Sequence, residues 1–277
     1  MVRAIKREPD NQFLILTRQK GWCESVERWS FSCDQGHPDF ITTVFNGDFG
    51  RVRCPICSED LRAEEDREKA RREWRKVLVQ RHGVPADSAM ADLDGFRIRE
   101  EEGKQVAFED SLALNGVRSL AETGGDPYTA VRNVTICGKT GVGKTFLGAA
   151  LVSQVAHAGE SAFMIQDSAL LSQVLACGRG KGAESDQLRK RFEEYQVLVI
   201  DDLDHERWAR ANCSFLADLI IARFGAMKQT LILTNRTPAE LLPAFGSAVE
   251  SRLKRGRVIT VTGEDRRKSQ KLQEVAG

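Results

Sequence analysis

The segment Val134-Thr135-Ile136-Cys137-Gly138-Lys139-Thr140-Gly141-Val142-Gly143-Lys144-Thr145 runs from an apolar stretch through a glycine-rich turn into a helix-like pattern. Its spacing, Gly-x-x-x-x-Gly-Lys-Thr, is that of a phosphate-binding loop between a strand and a helix. A chance glycine-rich turn is the alternative, but the strand pattern before it and the helix pattern after it favour the loop. We therefore predict that residues 138–145 bind the phosphates of a nucleotide.

The residue types of this loop suit phosphate binding. Gly138, Gly141 and Gly143 let the backbone curl, so that several N–H groups point at phosphate oxygens. The helix that starts near Lys144 offers its unpaired N–H groups and positive dipole end to the same anion. Lys144 adds a positive charge for the β- and γ-phosphates, and Thr145 offers a hydroxyl to Mg²⁺.

Composition excludes several classes of protein. The chain has 277 residues, and 41 Lys+Arg against 40 Asp+Glu give a formal net charge of +1, so a nucleic-acid-binding surface would have to be local. No apolar run is long enough to span a bilayer, and the N-terminus lacks the apolar core of a signal peptide. Seven cysteines, an odd number that includes a Cys-x-x-Cys pair, suit a reducing cytoplasm and a metal site.

Two pairs of residues near the N-terminus have the spacing of a zinc site. Cys33 and His37 form the first pair, and Cys54 and Cys57, in Cys-Pro-Ile-Cys, form the second. Short spacing within each pair lets one turn aim two side chains at one Zn²⁺, and the β-like chain between them brings the turns together. Cys23 is the alternative to His37 as the fourth ligand. We expect a closed, structural site.

The chain has three regions. Residues 58–82 are dense in Arg, Glu and Lys at helical spacings, which predicts a solvated helix that Gly83-Val84-Pro85 ends. Gly124-Gly125-Asp126-Pro127 is a turn ahead of the phosphate-loop strand. We predict a zinc-binding N-terminal domain at 1–60, a charged helix and linker at 61–125, and a nucleotide-binding domain at 126–277.

Strand and helix patterns alternate after residue 130. The predicted strands are 131–137, 162–165, 197–200, 230–233 and 258–261, after two N-terminal ones at 13–16 and 41–45. The predicted helices are 146–158, 168–176, 210–227, one containing Leu241 and Leu242, and one at 250–255, with another at 111–122 ahead of the loop. Residues 186–195 form an amphipathic stretch. This alternation predicts an α/β fold, with a parallel sheet covered by helices on both faces.

Polar side chains follow two of these strands. Val197–Ile200 is a continuous apolar run, as a buried central strand should be, and it ends in Asp201 and Asp202. We expect Asp201 to reach Mg²⁺ through water and Asp202 to orient or deprotonate the attacking water. Asn235 ends the next strand; since parallel strands end at the same edge, it should lie beside Asp202.

Two arginines are candidates for neutralising charge in the transition state. Arg252 would act on a neighbouring subunit's nucleotide and Arg267 on the nucleotide of its own chain, since a guanidinium suits phosphate oxygens. Arg255, Arg257 and Arg266 lie near enough in sequence to be confused with them. Each could also be an ordinary surface arginine.

Together these features resemble the DnaC/IstB-type AAA+ ATPases, which are helicase loaders and transposase helpers. The resemblance rests on the Cys/His module, the charged helix, the loop at 138–145, Val-Leu-Val-Ile-Asp-Asp-Leu at 197–203, Thr234-Asn235 and Ser251-Arg252-Leu253. It implies an AAA+ P-loop core that hydrolyses ATP with Mg²⁺.

The resemblance also implies roles for individual residues. Lys144 and Thr145 would be Walker A residues, Asp201 and Asp202 Walker B, Asn235 sensor 1, Arg252 the arginine finger and Arg267 sensor 2. Glu264-Asp265-Arg266-Arg267 departs from the usual sequence around sensor 2, which leaves the register of that residue open.

The partners implied are those of a cytoplasmic helicase loader. The zinc-bearing domain would bind a replicative DNA helicase, subunits would associate through ATP-bridged interfaces, and the ATPase domain would hold single-stranded DNA. Residues 170–191 supply basic side chains for such a groove, although a mobile glycine loop would explain the same residues. The alternative function is that of a transposition helper acting with a transposase on duplex DNA.

Overall fold

The computed structural model describes residues 2–7, 26–45, 53–122, 131–178 and 182–267. The chain divides into two compact units, Met1–Glu73 and Trp74–Gly277. The division into three regions at residues 60 and 125 stays a prediction. Within the described ranges, no helix combines the length and the apolarity that crossing a bilayer demands.

The first unit contains a three-stranded antiparallel sheet in the order β1-β2-β3. Its strands are β1 (Val2–Arg7), β2 (Val26–Cys33) and β3 (Phe40–Phe45), and they are followed by helix α1 (Pro55–His82). Phe31 on β2 is opposite Phe40 on β3, and their rings stack with centroids 5.7 Å apart. The strand predicted at 41–45 and the helix predicted at 58–82 are confirmed; the strand predicted at 13–16 lies outside the described residues. Strands β1 and β2 were not predicted from the sequence.

The second unit, which begins within α1, carries the predicted alternation of strands and helices. Its strands are β4 (Asn133–Gly138), β5 (Ala162–Gln166), β6 (Val197–Asp201), β7 (Gln229–Thr234) and β8 (Arg257–Val261). Its further helices are α2 (Lys104–Ala121), α3 (Lys144–His157), α4 (Asp167–Ala176), α5 (Ala183–Glu194), α6 (His205–Arg210), α7 (Phe215–Gly225), α8 (Pro238–Ala244) and α9 (Ser247–Lys254).

The five strands form one parallel sheet in the order β5-β6-β7-β4-β8. Strand β7 therefore lies between β4, which leads into the phosphate loop, and β6, which ends in the aspartate pair. Because parallel strands end at one edge, this order places Asn235, just after β7, between the two halves of the predicted site.

The sheet is buried on both faces, as its continuous apolar strands predict. On β6, Val197 and Val199 belong to a core with α2 and α3, whereas Leu198 and Ile200 belong to a second core with α4, α5 and α7. This alternation is the two-residue period of a strand. The α/β prediction is confirmed.

One predicted helix was wrong. The pattern at 210–227 predicted a single helix, but α6 ends at Arg210 and α7 begins at Phe215. Between them Asn212 has a φ of +48°, a left-handed conformation that cannot continue a right-handed helix and that asparagine tolerates better than most residues. The apolar side chains of both helices enter the same core, which is why their pattern looked continuous.

Candidate nucleotide site and metal centre

The phosphate loop lies between β4 and α3, as predicted. Gly141 and Gly143 have φ angles of +88° and +102°, which side chains disfavour, and Gly143 is the N-cap of α3. A Cβ at Gly138 would collide with the carbonyl oxygen of Val261 on β8. The glycines are thus needed for the curl of the loop and for its close packing against the sheet.

Lys144 reaches back across this loop. Its Nζ donates to the carbonyl oxygens of Gly138 (2.7 Å) and Lys139 (2.8 Å) and to Oδ1 of Asn235 (2.8 Å). Lys144 is only 7% exposed, and these three acceptors are all uncharged. Burial lowers its pKa, nearby Asp201 and Asp202 oppose that shift, and Arg267 adds to it. An ammonium group buried among neutral acceptors suits an anion such as a phosphate.

The two strand-end aspartates have different surroundings. Asp201 is buried, its Oδ2 accepts a hydrogen bond from Thr145 Oγ1 at 3.0 Å, and burial raises its pKa. Asp202 has a φ of +55° and a half-exposed side chain, and its Oδ1 accepts from Asn235 Nδ2 at 2.6 Å. A hydroxyl and a carboxylate side by side are oxygen donors of the kind Mg²⁺ prefers, so Thr145 and Asp201 fit that ion.

These residues line a cavity of about 720 Å³. Besides the loop and the ends of β5 and β6, the cavity is lined by the segment 87–102 and by two arginines after β8. The lining includes Thr140, Gly141, Gly143, Lys144, Thr145, Gln166, Asp201, Asp202, Asn235, Gly95, Phe96, Arg97, Arg99, Arg266 and Arg267. No sequence motif indicated that residues 87–102 contribute to this cavity.

The three relevant arginines lie in different places. Arg267 is exposed and lines the cavity. Arg266 also lines it, but its guanidinium donates to the carbonyl oxygens of Val142 and Arg97 and lies 4.4 Å from the Phe96 ring centroid. Arg252 does not line this cavity; it donates to the carbonyl of Ala248, and its guanidinium lies 5.9 Å from the Phe224 ring centroid.

A buried ionic cluster holds the segment after β8 against the phosphate loop. Arg99 is 3% exposed and pairs with fully buried Asp110 at 2.8 Å, and Arg266 pairs with the same carboxylate at 2.7 Å. Arg99 also donates to the carbonyl oxygens of Thr262 (2.7 Å) and Glu264 (3.1 Å). None of these contacts follows from a motif, because one charged residue in a charge-rich sequence does not indicate its partner.

In the first unit, the predicted zinc ligands converge. The side-chain ligand atoms of Cys33, His37, Cys54 and Cys57 all lie within 4.8 Å of one another. Four of the distances between them are 3.2 to 3.7 Å, close to the edges of about 3.5 to 3.8 Å expected for a tetrahedron around Zn²⁺. The donor set therefore fits zinc. Cys23 lies outside the described residues.

Electrostatics within this cluster also suits a cation. A hydrogen bond from the backbone N–H of Gln35 is the main factor that lowers the pKa of Cys33, to about 7. Hydrogen bonding to Cys33 is the main factor that raises the pKa of Cys57, to about 11, followed by burial and by the charges of the neighbouring sulfurs. One thiolate forms easily, and its negative charge makes deprotonation of the next thiol unfavourable. A cation at the centre of the cluster would remove this repulsion.

The segment predicted to face DNA is only partly described. Arg179 and Lys181 lie outside the described residues. Arg189 pairs with Asp186 at 3.0 Å, and the Arg191 guanidinium lies 5.7 Å from the centroid of the Phe163 ring. Arg189 and Arg191 of this segment thus already have partners within the chain.

With the fold and the site described, comparison with known proteins assigns the chain to a family. Residues 61–274 match the model of the IstB-like ATP binding protein family, which is well over half of the chain. The chain belongs to the IstB-like ATP binding proteins. Members of this family share the ATP-binding AAA+ P-loop fold, so the DnaC/IstB-type resemblance is confirmed.

Two relatives with different descriptions are similar to the chain. The chain is 25% identical over 228 residues to "Putative insertion sequence ATP-binding protein y4pL" of Sinorhizobium fredii, covering 77% of this chain and 90% of the relative. It is 25% identical over 124 residues to the replicative helicase loader DnaC of Escherichia coli K12, covering 45% of this chain and 51% of DnaC. The chain thus spans only about half the length of the DnaC loader.

Solved structures support the fold. A crystal structure of the DnaC helicase loader superposes with a TM-score of 0.52 at 21% identity, covering 63% of this chain and 98% of that one. The replication initiator DnaA, bound to AMPPCP and single-stranded DNA, superposes with a TM-score of 0.51 at 19% identity, covering 67% of this chain and 55% of DnaA. At these identities the likeness is one of fold.

Proposed function

We propose that this chain is an ATP-hydrolysing switch that loads a replicative DNA helicase. The observation that carries ATP hydrolysis is the convergence of Lys144, Asn235 and Asp202 through direct hydrogen bonds, beside the Thr145–Asp201 pair. Phosphate binding, a metal position and a carboxylate for the attacking water thus lie at one edge of the sheet.

Each residue has a distinct task in this proposal. The backbone N–H groups of residues 138–145 and the ammonium of Lys144 bind the phosphates of ATP, and Lys144 leaves its carbonyl partners to do so. Asp202 accepts a hydrogen bond from the attacking water, and the Asn235 amide positions that water and the carboxylate. Mg²⁺, held by Thr145 and by Asp201 through water, would neutralise charge on the phosphates.

Two arginines complete the site. Arg267 is exposed at the cavity and could turn toward the γ-phosphate of the ATP bound to its own chain, so we assign it the sensor 2 role. We assign Arg266 a structural role. Arg252, outside the cavity, would reach the nucleotide of a neighbouring subunit. ATP would then bridge subunits, and self-association would depend on ATP.

The N-terminal unit is the proposed helicase-binding part. Its Cys/His cluster precedes residue 61, where the match to the IstB-like family begins, so the cluster lies outside the matched ATPase core. Zn²⁺ would supply a structural crosslink between β2, the turn at His37 and the start of α1. The ATPase unit is the proposed site for single-stranded DNA.

A transposition helper acting on duplex DNA is the second candidate function. The alignment with y4pL, which spans 90% of that protein against 51% for DnaC, favours it. Both candidates use the same nucleotide site and differ in the protein partner and in the form of the DNA.

ATP turnover by the full chain, with and without single-stranded DNA, duplex DNA, a replicative helicase and a transposase, tests these proposals. A loader should bind the helicase in an ATP-dependent manner and respond to single-stranded DNA, whereas a helper should respond to duplex DNA and bind the transposase. Lys144→Ala should abolish turnover and partner binding. If Lys144→Ala keeps its partner and its biological activity, the nucleotide site is only structural and both proposals are wrong.

A further inference from the structure

We propose that Arg207 is a positioning residue that fixes the carboxylate of Asp202 for hydrolysis, and that buried Asp167 anchors Arg207. This inference rests on the proposed ATP hydrolysis and deepens it. Neither residue belongs to a motif found in the sequence.

Asp202 needs positioning. Its side chain is 49% exposed, and its backbone has a φ of +55°, a left-handed conformation that is uncommon for residues other than glycine. The hydrogen bond from Asn235 to Oδ1 is a single contact, about which an exposed carboxylate can still rotate. A second contact on the other oxygen would fix its plane.

Arg207 on α6 supplies that second contact. Its Nη2 lies 3.5 Å from Asp202 Oδ2, and its Nη1 lies 3.5 Å from the Asp202 carbonyl oxygen. The guanidinium therefore lies within long hydrogen-bond distance of both the side chain and the backbone of Asp202. Its planar fork offers two donors in fixed directions, which a lysine ammonium cannot match.

Asp167 holds the same guanidinium through Nη1. It follows β5 directly, is completely buried, and accepts a hydrogen bond from Arg207 Nη1 at 3.2 Å. Trp208 Nε1 donates to its Oδ1 at 2.5 Å. A buried carboxylate with these partners cannot turn, so Arg207 links a rigid point of the fold to the exposed end of β6.

Arg236, which lies between β7 and α8, provides a matched control because it pairs with residues at the start of α6. It pairs with Asp204 and Glu206, each at 3.1 Å, and its side chain is 31% exposed against 33% for Arg207. Among the described contacts it touches neither Asp201 nor Asp202. Its removal weakens the attachment of α6 without removing a partner of Asp202.

The test compares Arg207→Ala, Arg207→Lys and Arg236→Ala in the full chain, with kcat for ATP and the Kd of AMPPCP as readouts. Because a small displacement of a reacting group is costly, Arg207→Ala should lower kcat by about 10-fold or more and change the Kd by less than about 3-fold. The kcat of Arg207→Lys should lie between that of Arg207→Ala and that of the wild type. The kcat of Arg236→Ala should stay near the wild-type value.

An unchanged or increased kcat in Arg207→Ala would overturn the inference, as would an equal loss in Arg236→Ala or a parallel loss of AMPPCP affinity. Wild-type protein that binds AMPPCP but turns over no ATP would overturn the proposed function and this inference together. Normal turnover in both the wild type and Arg207→Ala would overturn the inference alone.

A double-mutant cycle tests the anchor. If Asp167 acts through Arg207, Asp167→Asn should lower kcat in the wild-type background and have little further effect in Arg207→Ala. Equal losses of kcat in both backgrounds would show that Asp167 does not act through Arg207. If Asp167→Asn does not fold, the comparison of Arg207 with Arg236 still decides the main point.

Discussion

At the scale of single residues, Asn235 joins the two halves of the nucleotide site. Its amide oxygen accepts from Lys144 on α3, and its amide nitrogen donates to Asp202, just after β6. A side chain with both a donor and an acceptor is required here, because a cation lies on one side and an anion on the other.

This dual role gives a sharp prediction for Asn235. Asn235→Ala should lower kcat by about 10- to 100-fold while ATP affinity stays nearly constant, because the water and Asp202 lose their positioning. Asn235→Asp keeps the acceptor for Lys144 but places a negative charge against Asp202, so its kcat should fall at least as far. Steady-state kinetics and AMPPCP titration measure both effects, and wild-type turnover in Asn235→Asp would show that the donor is irrelevant.

The sequence revealed those residues whose spacing is constrained by their chemistry. Lys144 and Thr145 follow from the loop pattern, and Asp202 and Asn235 from polar residues at the ends of apolar strands. Arg207 and Asp110 gave no such signal. Their importance depends on partners that are distant in sequence, such as Asp167 for Arg207, and only the fold brings those together.

At the scale of elements, the ionic cluster around Asp110 on α2 holds the segment after β8 in place. One carboxylate neutralises two guanidinium groups there, those of Arg99 and Arg266. Since Arg266 also donates to the carbonyl of Val142, this cluster supports the shape of the phosphate loop.

Breaking this cluster should be costly. Asp110→Asn leaves two largely buried arginines without their anion, so it should lower the free energy of unfolding by about 3 kcal/mol, measured by urea denaturation. Arg118→Ala, on the same helix, removes an exposed ion pair with Asp94 and should cost less than about 1 kcal/mol. Equal effects of the two substitutions would contradict the assigned importance of the buried cluster.

Element prediction succeeded where apolar periodicity and glycine or proline boundaries coincide. Strands β4, β6 and β7 and helix α3 were found this way. It failed between α6 and α7, where both helices contribute apolar side chains to one core and the break depends on the backbone of Asn212. Strand β2 was also missed, although its residues 29–33 alternate between apolar and polar side chains as those of a half-buried strand do.

At the scale of the whole molecule, the chain combines two units that are stabilised by different interactions. The Trp74–Gly277 unit has large apolar cores on both faces of a parallel sheet. The Met1–Glu73 unit has a small sheet and a Cys/His cluster, and a region of that size commonly needs a metal for stability. The two units should therefore respond differently to the loss of zinc.

Cys54→Ser tests this difference. The wild type should contain about one zinc per chain by elemental analysis, and Cys54→Ser should lose most of it because a hydroxyl is a poor zinc ligand. Helicase binding should fall with the zinc, while AMPPCP affinity stays within about 3-fold, because residues 138–145 belong to the other unit. Cys177→Ser, outside the cluster, is the matched control and should keep both zinc and partner. Undiminished zinc in Cys54→Ser would mean that the four residues are not its ligands, and a lost AMPPCP affinity would mean that the nucleotide site depends on the N-terminal unit.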